Sequence, residues 1–144
     1  MKARSRLFFF VMIFLAMGGC ATGPKFTEIA PTFSQLSADK GRIYIYRTAI
    51  MGAAVQPEVK LNGEVVGKAV PGGFFYVDRE PGNYEILTST EVDRKLSFTL
   101  DEGQKRYVRL NISMGFFVGH VYPELIDPQT GEKEIQECSY SPTN

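Results

Sequence analysis

Turn signals recur at hairpin spacing along residues 41–139, and they leave room for little except strands. Asn62-Gly63 follows Glu58-Val59-Lys60-Leu61, in which polar and apolar residues alternate. Asn-Gly tolerates the positive φ angles of a type I′ turn, whose twist matches the strands on either side. Pro71-Gly72-Gly73, Glu80-Pro81-Gly82-Asn83 and Asp101-Glu102-Gly103-Gln104 punctuate the chain in the same way. Between them, Leu96, Phe98 and Leu100 alternate with Lys95, Ser97 and Thr99, and Val108, Leu110 and Ile112 alternate with Tyr107, Arg109 and Asn111. Each series turns one face to a core and the other to solvent. Residues 42–47 (RIYIYR) are apolar or amphipathic on both faces, the pattern of a central strand. Gly67 marks a candidate bulge in the strand that returns from Asn62-Gly63. Residues 118–126 and 132–138 are expected to form a last pair of strands around Asp127-Pro128-Gln129-Thr130-Gly131. No stretch shows a sustained helical period, and none has the βαβ alternation of a parallel sheet. The expectation is an all-β domain, a small antiparallel β-sandwich or open barrel of about eight strands.

A different composition precedes this domain. Lys2, Arg4 and Arg6 form a basic start, and residues 7–17 (LFFFVMIFLAM) are an unbroken apolar run. This is the layout of a signal peptide. A membrane-spanning helix needs about 20 apolar residues, and this run is roughly half of that. Met17-Gly18-Gly19-Cys20-Ala21 resembles the lipobox of bacterial lipoproteins, with Met17 where the motif more often has Leu, Val or Ile. The resemblance implies cleavage before Cys20 and acylation (palmitate among the chains) of the new N-terminal cysteine. Ala21, in place of an Asp that would favour inner-membrane retention, implies transfer to the outer membrane of a Gram-negative cell, facing the periplasm. Ordinary signal cleavage is the alternative, and it leaves Cys20 as a thiol able to pair with Cys138. The expected organisation is a removed signal over 1–19, a lipidated Cys20 and tether over 20–40, the β-domain over 41–139 and a disordered tail over 140–144. Phe26, Ile29, Phe33 and Leu36 are scattered through the tether, where Phe33 and Leu36 are candidates to dock on the domain.

The formal charge of the whole chain is +0. Setting aside the three basic residues of the signal leaves 13 bases against 16 acids, a net of −3. No basic field points to nucleic acid or to an anionic membrane surface. Two cysteines, far apart, make neither a disulfide framework nor a zinc module.

Val59-Lys60-Leu61-Asn62-Gly63-Glu64-Val65-Val66-Gly67, then Gly73-Phe74-Phe75, then Glu80-Pro81-Gly82-Asn83-Tyr84-Glu85-Ile86 resemble a small bacterial lipoprotein domain of unknown function, the DUF2846 type. Ile43-Tyr44-Ile45-Tyr46-Arg47 stands before them as in that domain. The same grammar of apolar-x-apolar-Asn-Gly and Pro-Gly-x-Tyr is similar to that of PEGA modules. The resemblance covers about residues 41–138 and implies an envelope β-sandwich without an assigned activity; with the lipobox-like stretch and the lack of a catalytic constellation, the expectation is a non-enzymatic module that binds another envelope protein. It supplies no catalytic residues. A receptor for a glycan or another small envelope ligand is the alternative, and a hydrolase using His120 or an acidic pair is the third reading.

Residues suited to chemistry are few. His120 is the only histidine; Glu124 or Asp127 are the candidate groups to orient it, and no motif places a nucleophile beside them. Asp78, Glu80, Glu91, Asp93, Asp101 and Glu102 lie at or near turns, where solvation accounts for them without an acid–base pair. Catalytic, cofactor and metal sites are therefore all expected to be absent. Cys138 is expected either as a small buried hydrophobe or as a thiol bonded to another chain. Two stretches without charge stand out as candidate interaction surfaces: residues 48–56 (TAIMGAAVQ), with Ile50 and Met51, and residues 113–122 (SMGFFVGHVY), with Phe116 and Phe117. The alternative is that both fold back over the open end of the sandwich.

Overall fold

The computed structural model describes residues 19–117 and 119–142. The expected signal peptide lies, apart from Gly19, outside the described residues. Among the described residues nine strands form two sheets: β1 Gly41–Tyr46, β2 Glu58–Leu61, β3 Glu64–Lys68, β4 Gly73–Arg79, β5 Gly82–Ser89, β6 Asp93–Leu100, β7 Lys105–Met114, β8 Gly119–Ile126 and β9 Ser139–Tyr140. One sheet has the order β8-β7-β1-β4-β9 and the other β3-β2-β5-β6. The fold is a small β-sandwich, so of the two expected architectures the open barrel is set aside.

Its core is built by the alternations visible in the sequence. Ile43, Ile45, Val108, Leu110 and Val121 from one sheet meet Val59, Leu61, Ile86, Phe98 and Leu100 from the other, all buried. Fully burying a side chain of this kind contributes about 1.5–3 kcal/mol. Asn62 at φ 47 and Gly63 at φ 86 make the left-handed pair that the β2–β3 turn requires. The Asn62 side chain accepts from the Glu85 N–H at 2.7 Å and ties that turn to β5. The register between β2 and β3 slips between Val59 and Lys60, so the bulge lies at Val66, one residue before Gly67. A Cβ on Gly67 would stand 2.4 Å from the Phe75 ring, and glycine there lets that ring lie against the strand.

Three departures from the sequence reading share one cause, a layer on the outer face of the five-stranded sheet. First, residues 132–138 are not a strand. Asp127 caps a helix, α2, over Pro128–Ile135, with its carboxylate accepting from the Thr130 N–H at 3.0 Å and Pro128 in the first turn. Gly131, Ile135 and Cys138 are buried beneath it. A Cβ on Gly131 would stand 2.4 Å from Tyr107, so glycine there lets the helix settle onto the sheet. Second, Tyr107 is buried rather than solvent-facing, in a cluster with Tyr44, Tyr46, Phe74, Ile135 and Cys138.

Third, the stretch read as a tether is fastened down. Phe26–Ile29 form a short helix, α1, followed by a 3₁₀ turn over Ala30–Thr32. The Phe26 and Phe33 rings pack on Phe74 and on each other, and Phe33 also packs on Tyr76 and Tyr140. Residues 140–142 are likewise held rather than free: Tyr140 N–H donates to Pro24 O at 2.8 Å and Ser141 N–H to Phe74 O at 2.8 Å. The parallel pairs β1/β7 and β4/β9 also depart from a purely antiparallel sandwich. β1 and β4 lie in the interior of their sheet and are covered on both faces, and the double-sided pattern of residues 42–47 fits that position.

Candidate functional site

The pairing register gathers several loops at one end of the sandwich. Tyr46 lies opposite Phe74 and Arg109, Met114 opposite Gly119, Thr88 opposite Val59, and Ser139 opposite Gly73. The β1–β2 loop, the β3–β4 turn, the β5–β6 turn, the β7–β8 tip and residues 19–21 therefore share that end. Side-chain bonds lace the two sheets together there. Thr88 Oγ1 donates to Val121 O at 2.6 Å, and the Phe117 N–H donates to the Glu91 carboxylate at 3.1 Å.

Arg47 shapes the β1–β2 loop from inside. It is fully buried, and its guanidinium donates to Val55 O (2.7 Å), Ala69 O (2.8 Å), Met51 O (2.8 Å) and Gly52 O (3.1 Å). Burial holds its pKa below the ordinary arginine value. Wrapping the loop around this cation turns its carbonyls inward and leaves Ile50 and Met51 outside, while Val55 packs against the core. The Ile112 side chain then joins the loop to the β7–β8 tip, because a Cβ on Gly52 (φ +69) or on Gly119 would each collide with Ile112 Cδ1, at 2.1 and 2.9 Å. The two stretches singled out in the sequence are thus brought together. Their side chains do not fold over the sandwich: Met51 is 72% exposed, Ile50 65%, Phe116 88% and Phe117 85%. Met114 (87%), from the second of these stretches, extends the same rim. The opposite end is polar, with Asn62, Glu64, Glu80, Asp101, Glu102 and Asp127 exposed in its loops and strand ends.

Cys20 stands beside this rim. It is exposed, and its neighbours are fixed on both sides. Gly19 O accepts from Gln56 Nε2 at 2.8 Å, and the Ala21 N–H donates to Pro71 O at 3.0 Å. Cys138, in contrast, is fully buried as a free thiol against Arg47 O, and burial pushes its pKa up to about 12. Of the two expectations for Cys138, burial is the one observed.

The remaining candidates are held apart. His120 contacts Thr90 Oγ1 through Nδ1 (3.1 Å) and the Glu91 carboxylate through Nε2 (3.4 Å). Glu124 is engaged by Arg109 (2.8 Å) and Asn111 (2.7 Å), and Asp127 caps α2, so neither orients His120. Asp78 makes a two-pronged pair with Arg42 at 2.6 and 2.8 Å, and Asp93 accepts from Ser89 at 2.6 Å. Among the described residues no cluster of three or more His, Cys, Asp or Glu could hold a metal ion. A shallow depression of about 360 Å³ runs past Asn62, Asn83, Tyr84 and Thr99. Its amides and hydroxyl already bond one another or the backbone.

One polar cluster was not foreseen. Glu134 on α2 accepts from Tyr46 Oη and from Arg109, both at 2.6 Å, and Arg109 reaches on to Glu124. Burial and the Glu134 carboxylate hold the Tyr46 phenol far above its ordinary pKa. The cluster joins α2 to β1, β7 and β8. Its sequence signal was the Asp-Pro helix start, which places Glu134 on the sheet-facing side.

The family model described as a protein of unknown function (DUF2846) matches residues 37–121. An uncharacterized protein of Haemophilus influenzae is 28% identical over 130 residues, covering 87% of this chain and 77% of its own length. The match to the family model takes in β1 to β7, the start of β8, and both loops of the apolar rim. The chain belongs to the DUF2846 family.

Proposed function

We propose that this chain is an outer-membrane lipoprotein: Cys20 is acylated, the sandwich faces the periplasm, and the domain is a non-catalytic module that binds another envelope protein. The observation that carries the anchoring is the position of Cys20. It closes a lipobox-like sequence, it is exposed at the edge of the folded domain, and Cys138, which it could otherwise pair with, is sealed in the core. Two or more acyl chains, at about 0.8 kcal/mol per buried CH₂, make a lasting anchor. With Cys20 at the membrane, the loops carrying Glu64, Glu80, Asp101 and Glu102 point away from it, and they are the surface left for a periplasmic partner. The non-catalytic reading follows the sequence, in which no motif places a nucleophile beside His120.

Metabolic labelling with palmitate tests the anchor. The full chain is expected to take up label and to fractionate with outer membrane, and the Cys20→Ser chain to stay unlabelled as uncleaved precursor. A Cys20→Ser chain that is processed and released like the parent defeats the reading.

A further inference from the structure

We infer that the apolar rim around Cys20 is a membrane-contacting face: Phe116, Phe117, Met114, Ile50 and Met51 enter the headgroup region of the leaflet that holds the lipid. The inference rests on Cys20 being acylated, and three observations carry it beyond that reading.

The first is the lack of slack. Ala21 is bonded to Pro71, and Phe26 N–H donates to Cys138 O at 3.0 Å, so the chain is part of the domain from its second mature residue. Neighbouring Cα atoms are about 3.8 Å apart, which leaves an acylated Cys20 no length over which to hold the domain off the surface. The second is the distribution of apolar surface. Nine large hydrophobic side chains are exposed among the described residues, and six of them (Ile50, Met51, Val92, Met114, Phe116 and Phe117) lie at the end that Cys20 occupies. The loops of the other end are polar.

The third is how the backbone of the β1–β2 loop is satisfied. A segment that enters lipid must pair its polar groups within the protein. The Met51, Gly52 and Val55 carbonyls are taken by Arg47, Ala53 O accepts from Gln56 Nε2, and the Val55 N–H donates to Gly52 O. Residues 48–56 carry no charge. Charged side chains stand at the margin of the rim, where Glu58, Lys68, Glu91, Asp93 and Arg94 are exposed, and Glu91 is held by the Phe117 N–H and by His120 Nε2. A protein partner would need the rim open to the periplasm, and the fixed position of Cys20 denies that.

The chain contains no tryptophan, so one introduced residue reports alone. Full-length Phe117→Trp protein, purified with its native processing, is reconstituted into vesicles of phosphatidylethanolamine and phosphatidylglycerol, with and without brominated acyl chains. A Glu102→Trp chain is the control at the far end. Mass spectrometry of the same samples reads the acylation of Cys20. The expected result is blue-shifted emission from position 117 that loses about half its intensity to brominated lipid, as an interfacial depth of about 5–10 Å allows, while position 102 is unaffected. Acylated Phe117→Trp protein whose emission is not quenched overturns the membrane-contacting face and leaves the anchor standing. Emission that is blue-shifted but unquenched also overturns it, and assigns the rim to protein contact. Absence of acyl mass on Cys20 overturns the anchor and this inference together.

Discussion

Replacing Arg47 with Met removes the cation around which the β1–β2 loop is built. Met keeps the apolar stem and deletes every donor. Four backbone carbonyls lose their partner, at distances of 2.7–3.1 Å. Those of Met51 and Gly52 lie in an exposed loop and can be rehydrated, so most of the cost falls on Ala69 O, whose bond to Arg47 is buried, and on Val55 O. An orphaned buried acceptor costs about 1–3 kcal/mol. Working against this, the variant no longer desolvates a cation, and no carboxylate is among the partners of Arg47 in the described residues. The balance is a loss of about 3 kcal/mol, or about 10 °C in Tm for a domain of this size. Thermal melts followed by circular dichroism measure the total, and hydrogen exchange locates it: amides of residues 48–56 and 69–72 are expected to lose protection before those of β5 and β6. Arg47→Lys, with a charge but no planar fork, is expected to fall between parent and Met. An Arg47→Met protein that melts within about 2 °C of the parent, with loop amides unchanged, refutes the idea that Arg47 organises this loop.

Other expectations follow from the covering layer. Gly→Ala inside a helix ordinarily gains about 1 kcal/mol; Gly131→Ala is expected to cost about 1–3 kcal/mol instead, because the new Cβ meets Tyr107 at 2.4 Å, and a stabilised variant in chemical denaturation refutes the packing of α2. Glu124 is held below its ordinary pKa by Arg109 and Asn111, and Asp127 by the Thr130 amide, so folding favours their ionised forms. Their stabilisation is complete above the ordinary carboxylate range and is lost as pH falls through the lowered folded values; Glu124→Gln combined with Asp127→Asn is expected to flatten the acid limb of Tm against pH, and an unchanged limb counts against both pairings. The buried Cys138 thiol is expected to resist maleimide at about pH 7.5 in the folded protein and to react once denaturant is added; labelling of the native state within minutes contradicts its burial.

The sandwich was legible wherever one face of a strand is wet. Phe98, Leu100, Val108 and Leu110 alternate with polar neighbours, and Asn62-Gly63 has one good use, so inward faces and the β2–β3 hairpin follow from local pattern. The outer layer was hidden because its signals are short. Gly131, Ile135 and Cys138 form a stripe at spacings of four and three, and Phe26, Ile29 and Phe33 one at three and four, but neither spans enough turns to outweigh its surroundings. Tyr107 looked solvent-facing for the same reason, since an amphipathic tyrosine suits either a wet face or one under a helix. The parallel pairing of β1 with β7 has no local signature at all; it is decided by two sheets competing for the most apolar strands. At the candidate site, Cys20, Ile50, Met51, Phe116 and Phe117 could be read individually. Their meeting at one end could not, because it depends on Arg47 and on Ile112 between Gly52 and Gly119.

The most direct measurement is the mass of the N-terminal peptide of the mature protein, extracted from the outer membrane of a Gram-negative host. The account predicts a peptide that begins at Cys20 and carries the added mass of a diacylglyceryl group, with none of residues 1–19 attached. A mature chain that begins at any other residue, or at a Cys20 with a free thiol, contradicts it.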